Sequence, residues 1–149
     1  MNRAPPCSCI VDTDSLRRIA RASGNLKGIL LDHLKSGNIA VPACAWKEFA
    51  KLYEQEAEAL KPCVTSRIVM RRAYYAGAAR IADSLNLGFP RGAYDDNVEL
   101  LTASIALTNG CRILTSSAQV SIYDEMGCQA CDHETWIDSL SSAPATTTA

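Results

Sequence analysis

No stretch of this 149-residue chain approaches the ~20 consecutive apolar residues that a membrane-spanning helix requires. Met1 to Pro6 carry one arginine and two prolines but no apolar run, which argues against a secretory leader. Charge of one sign is not in excess: the net charge is −1, which argues against a protein that simply coats nucleic acid. Histidine occurs only twice, at His33 and His133, far apart in sequence and each within an amphipathic segment. GxSxG, Walker, GxGxxG and HExxH patterns are all missing, so serine hydrolase, nucleotide-phosphate, dinucleotide and zincin readings lack support.

What is present is ordinary for a folded domain. Hydrophobic residues make up 48% and charged residues 21%, which excludes a wholly disordered chain. A chain of this length forms one domain and buries ~68–70% of its unfolded surface. Seven cysteines is a high and odd number. The chain is too long and too apolar to need disulfides, so a reducing cytoplasm is expected. Cys7, Cys9, Cys128 and Cys131, with His133 nearby, have the residue types of a zinc site if the two pairs meet in space. Against this, Cys9 and Cys131 fall in predicted strands, where cysteine is a small buried apolar residue.

Short apolar runs alternate with helical stretches. Strands are predicted at Cys7–Val11, Asn38–Val41, Cys111–Thr115 and Gly127–Cys131. Helices are predicted over Ser15–Ala22, with Asp14 or Thr13 as cap, Asn25–Ser36, Ala43–Leu60, Val64–Leu85, Asp95–Asn109 and His133–Leu140. The long helix carries a possible interruption near Gly77, and a shorter helix or turn covers Ala118–Met126. This alternation predicts a three-layer α/β/α domain with a central parallel sheet of about four strands. It covers residues 1–140 and is followed by a disordered, low-complexity tail over 141–149.

In such sheets the site lies outside the carboxyl ends of the strands. Asp12 and Asp14 follow the first strand, Glu48 lies one turn into the helix after Val41-Pro42, and Thr115 to Ser117 follow the third strand. Asp95, Asp96 and Glu99 cluster at a helix start. Asp96 and Glu99 can share a face at i,i+3, where like charges repel and a cation would relieve them. Three segments thus offer acids to one end of the sheet, as hydrolysis of phosphodiesters with Mg²⁺ or Mn²⁺ requires. Each acid also has a structural reading, as a helix cap or a rim residue.

The charge is unevenly distributed. Residues 1–60 carry +1, residues 61–91 carry +5 and residues 92–149 carry −7. Arg67, Arg71 and Arg72, with Tyr74 and Tyr75 alongside, suit single-stranded RNA through phosphate pairing and base stacking. The same stretch reads equally as a solvated helix whose tyrosines cover the core.

Three stretches in this order and spacing resemble the PIN-domain ribonuclease family, including the toxin components of bacterial toxin–antitoxin pairs. The first is Cys9-Ile10-Val11-Asp12-Thr13-Asp14-Ser15-Leu16. The second is Ile39-Ala40-Val41-Pro42 followed by Trp46-Lys47-Glu48-Phe49. The third is Glu99-Leu100-Leu101-Thr102-Ala103-Ser104-Ile105-Ala106, then Asn109-Gly110-Cys111-Arg112-Ile113-Leu114-Thr115. The likeness spans roughly residues 8 to 131. It implies Asp12 and Glu48 as the first two acids of a metal centre. Glu99 stands at the third acid's position, where aspartate is usual, with Asp96 as substitute or helper. The family's Thr-x-Asp is here Thr115-Ser116-Ser117, so the fourth acid is missing, and Asp124 is the nearest acid downstream. The resemblance further implies Mg²⁺ or Mn²⁺ as cofactor and RNA as substrate. RNA would be contacted by Asp14, Thr115, Ser117, Arg71 and Arg72. An antitoxin protein and a second copy of the chain are the implied partners. The loss of the fourth acid leaves a second expectation open, a weakened PIN-like module that binds RNA or protein without cutting.

Overall fold

Alternation along each strand sets the layers. The computed structural model describes residues 9–85 and 97–142. Cys9 and Val11 of β1 (Cys9–Val11) face one core, and Ile10 between them faces the other. In β2 (Ile39–Pro42), Ile39 and Val41 turn one way and Ala40 the other. Residues buried on both faces are the mark of a parallel sheet covered by helices.

The sheet has five parallel strands in the order β3-β2-β1-β4-β5. The helices α1 (Thr13–Arg21), α2 (Gly24–Ser36), α3 (Ala43–Leu52) and α4 (Glu54–Leu60) pack on one face with α8 (His133–Ser142). Leu16, Leu30, Phe49 and Trp136 fill that core. On the other face lie α5 (Arg72–Ser84), α6 (Val98–Asn109) and α7 (Val120–Glu125). Tyr74, Ala78, Leu101 and Tyr123 fill the second core. Among the described residues no helix is long and apolar enough to cross a membrane.

Five strands replace the expected four because β3 is only Arg67–Ile68, two residues beside β2. The sequence reads through it as helix, since an edge strand of two residues carries no period. The helix predicted over Val64–Leu85 is therefore α5 alone. Arg67 lies on the edge strand, Arg71 caps the helix and Arg72 begins it. The three arginines do not share one helical flank. Gly77 does not interrupt α5. A Cβ there would collide with Ser104, so the glycine lets α6 approach and Ser104 Oγ donates to the Tyr74 carbonyl at 2.7 Å.

The other differences lie at helix ends. The helix predicted over Ala43–Leu60 is two, because Tyr53 (φ −133°, ψ 65°) leaves the helical region between α3 and α4. The helix predicted from Asp95 begins at Val98, with Asn97 accepting from the Leu100 amide at 2.9 Å. Asp95 and Asp96 lie outside the described residues. The remaining strands, β4 (Arg112–Leu114) and β5 (Ala130–Cys131), fall within the expected segments. Helix α8 runs two residues past Leu140 in place of an immediate tail, and residues 143–149 lie outside the described residues.

Helix α8 is tied to α1 through a buried polar pair. His133 and Ser15 are both fully buried, and His133 Nε2 lies 2.8 Å from Ser15 Oγ. His133 Nδ1 has no partner. Burial pushes the imidazole down to about 4 from 6.5; the Arg18 charge acts the same way, while Glu134, Asp132 and the Ser15 contact oppose it. The folded state therefore favours the neutral ring. That contribution is fully present above pH 6.5 and is lost as pH falls towards 4, on the order of 3 kcal/mol. Between pH 7 and 4.5 the urea midpoint of the protein is expected to fall more steeply than that of His133→Gln. Parallel curves would remove the assignment.

Candidate metal centre

The chain runs outward from β1 through β2 to β3, then crosses to β4 and β5 on the other side. The crevice of such a sheet opens where the order reverses, outside the carboxyl ends of β1 and β4. Asp12 follows β1 and Thr115 follows β4. Both are buried, and Thr115 Oγ1 donates to Asp12 Oδ2 at 2.7 Å, across the switch point.

Asp12 is only 3% exposed and holds three donors. Its Oδ1 accepts from the Ser15 amide at 2.9 Å and caps α1. Its Oδ2 accepts from Thr115 and from the Tyr123 hydroxyl at 2.8 Å. Asp12, rather than Asp14 or Thr13, is therefore the cap, and one side chain serves both helix and crevice. Burial pushes its carboxyl up to about 6. The three hydrogen bonds oppose that shift, and the Asp14 charge adds to it. Burial also raises the Tyr123 phenol, and the adjacent Asp12 carboxylate raises it further, so Tyr123 stays a donor.

Glu48 comes from α3 and accepts from Thr13 Oγ1 at 2.6 Å, one residue beyond Asp12. Glu99, half-buried in the first turn of α6, has its carboxyl raised by burial. Its own backbone amide lowers it, and the charges of Glu48 and Asp14 raise it again. Asp14 is exposed, with its Oδ2 3.2 Å from Gln119 Nε2 and 3.5 Å from Ser116 Oγ. Asp14 thus acts on both Asp12 and Glu99, and Glu48 acts on Glu99, which links four carboxylates at one end of the sheet. They do not close into a cage: among the described residues, no three His, Cys, Asp or Glu side chains converge in ligating geometry. The donor set is all oxygen and mutually repulsive, which suits a hard divalent cation.

The other expected residues fall apart from this cluster. Ser117 is exposed and starts a short 3-10 turn, while Ser116 turns to Asp14 in its place. Arg71 and Arg72 are exposed at the start of α5 and form no ion pair with the carboxylates. Asp96 lies outside the described residues. Asp124, on α7, acts on Cys128. Of the cysteines, Cys7 lies outside the described residues. Cys9 and Cys131 are near neighbours, but no third ligand joins them among the described residues. Burial raises both of their thiols.

The sequence did not single out Tyr123, and it offered Thr13 only as a helix cap. Tyr123 reads as core in a short helix, and its hydroxyl meets Asp12 only through the fold. Residues separated by 111 positions show no period.

No protein-family model and no curated protein matches the sequence. Solved structures do match the fold. One is VapBC-1 from nontypeable Haemophilus influenzae, with TM-score 0.57 and 18% identity, covering 84% of this chain and 97% of that one. Another is PAE2754 from Pyrobaculum aerophilum, with TM-score 0.61 and 19% identity, covering 93% of this chain and 98% of that one. The five-stranded parallel sheet and its two helical layers are the PIN-like fold expected from the sequence motifs.

The Tyr123 bond has a measurable consequence. In Tyr123→Phe the buried Asp12 oxygen loses one donor, a charge-assisted bond worth about 1.5–3 kcal/mol. The same change in an Asp12→Asn background is expected to cost about 1 kcal/mol less, since the amide carries no charge to stabilise. Urea unfolding of the four proteins checks this, and additive effects would show that Tyr123 does not act on the carboxylate.

Proposed function

We propose that this chain is a PIN-like, Mg²⁺- or Mn²⁺-dependent endoribonuclease that hydrolyses RNA phosphodiester bonds under the control of an antitoxin protein. The observation that carries the reading is the buried Asp12 carboxylate at the switch point, with Glu48, Glu99 and Asp14 around it. The fold likeness supports a nuclease, and the likeness to VapBC-1 supports an antitoxin partner.

Asp12, Glu48 and Glu99 would hold the cation, with Asp14 at the rim, once drawn closer than the structure places them, since no three of these groups converge in it. When bound, the cation supplies Lewis-acid stabilisation of phosphate charge and makes water more acidic. The remaining work falls to the chain. Thr115 and Tyr123 fix the plane of the Asp12 carboxylate, so its orientation does not depend on ligand. Thr13 fixes one oxygen of Glu48 in the same way. Gln119 and Ser116 hold Asp14 at the entrance.

A second reading has an observation of its own. Ser117, at the missing fourth acid's position, is exposed and carries no charge. A PIN-like module that binds RNA or protein without cutting would tolerate that loss.

Mixed RNAs incubated with Mg²⁺, Mn²⁺ or EDTA separate the two. Cleavage is expected with either metal, none with EDTA, and losses in Asp12→Asn and Glu48→Gln exceeding the ~10–100-fold of an outer-shell change. Mg²⁺ is also expected to raise the melting temperature of the parent but not of Asp12→Asn. A folded parent that neither cuts nor gains stability from metal supports the binding module.

A further inference from the structure

A cavity of about 520 Å³ opens beside the carboxylates and runs along α1. Asp14 and Ser116 stand at one end, Ser23 at the other, and Arg17, Arg18 and Arg21 lie between. The spacing places Arg17 and Arg21 one helical turn apart. None of these arginines takes part in the carboxylate cluster.

Their partners differ. Arg18 pairs with Glu134 at 2.7 Å, the two side chains being 45% and 57% exposed. Arg21 pairs with Glu56 at 2.8 Å. Exposed pairs of this kind are weak and exchange readily. Arg17 has no acid partner among the described residues. Its guanidinium lies over the Tyr53 ring, 4.5 Å from the centroid, and its Nε is buried without a hydrogen-bond partner. Tyr53 is the non-helical joint between α3 and α4, so a break in the chain supplies the platform. An aromatic face fixes the guanidinium plane without using its N–H groups.

The far end of the cavity adds a second donor surface. Helix α2 has 13 residues and starts after Ser23, whose side chain makes no cap hydrogen bond. Its first amides are left for another acceptor. A planar cation and an uncapped helix start, facing one cavity, suit a tetrahedral oxyanion.

We propose that this cavity is a subsite for one backbone phosphate of a single-stranded RNA, anchored by Arg17. The inference rests on the reading of the carboxylates as the cleavage centre, since a continuous strand explains why the two sites share Asp14 and Ser116. Arg17 is the anchor because, of the three, it alone has no acid partner among the described residues. The subsite also adds α1 to the RNA contacts expected at Arg71 and Arg72.

The test is binding of a labelled single-stranded RNA to the full chain, read by anisotropy across a salt series. It is run on the parent with Ca²⁺ and on Asp12→Asn with Mg²⁺. Arg17→Gln is expected to weaken binding about tenfold at low salt in both, and to lower the salt slope by ~0.7, one phosphate's share. Arg17→Lys should keep the slope and lose only part of the affinity, which separates charge loss from misfolding. Arg112→Gln, at the amino end of β4 and so at the other end of the sheet from the cavity's Asp14 and Ser116, should change neither. Unchanged affinity and slope in Arg17→Gln overturn the subsite, as does RNA failing to bind while a polyglutamate peptide binds through Arg17. An Arg17 effect on binding in a protein that never cuts leaves the subsite standing and removes the cleavage reading alone.

Discussion

A carboxylate almost fully removed from water sits where the two halves of the sheet meet. Burying Asp12 is unfavourable for its charge, so the surroundings must supply donors, and they come from three places. The Ser15 amide belongs to the first helix, Thr115 to the end of β4 and Tyr123 to α7. These three bonds fix where α1 begins, how β4 ends relative to β1, and which way α7 turns. The position of Glu48 follows, because Thr13, the residue that holds it, is the first residue of the helix that Asp12 caps.

Much of this centre was legible in sequence because the strand-end rule depends only on order. An apolar run stopping at an acid marks Asp12, and Val41-Pro42 marks the helix bearing Glu48. The glycine turn at Gly110 marks the strand that ends in Thr115. What sequence did not show depends on three-dimensional contact or on very short elements. Strand β3 has two residues and no period. The Tyr53 joint hides inside a continuous amphipathic pattern, since Phe49, Tyr53 and Ala57 pack on the same core across the break. The cap of α1 was assigned to the wrong residue because Asp12 fills two roles and sequence spacing suggested dividing them between Asp12 and Asp14.

The centre trades stability for charge. The Asp12 carboxyl, raised to about 6, and Glu99, raised by burial, are both held against their own preference for water or a proton. Local strain of this kind is common where a protein keeps acids ready for a ligand. On the helix that Asp12 caps, three residues beyond it, burial is settled differently. His133 is kept neutral beside Ser15, and His33 meets the Trp136 ring edge-on at 4.9 Å. Helix α8 is thus held to α1 by the buried His133–Ser15 pair and the exposed Arg18–Glu134 ion pair, and to α2 by the ring contact.

The order of the strands has a consequence for synthesis. Asp12, Glu48 and Glu99 all precede β4, but Thr115 and Tyr123, which hold Asp12 in place, are made after it. A nascent chain that ends before Arg112 has its three acids but lacks the sheet neighbour and both hydroxyls that orient the first of them. Asp12 gains its two hydroxyl donors only after the segment from β4 to α7 has left the ribosome.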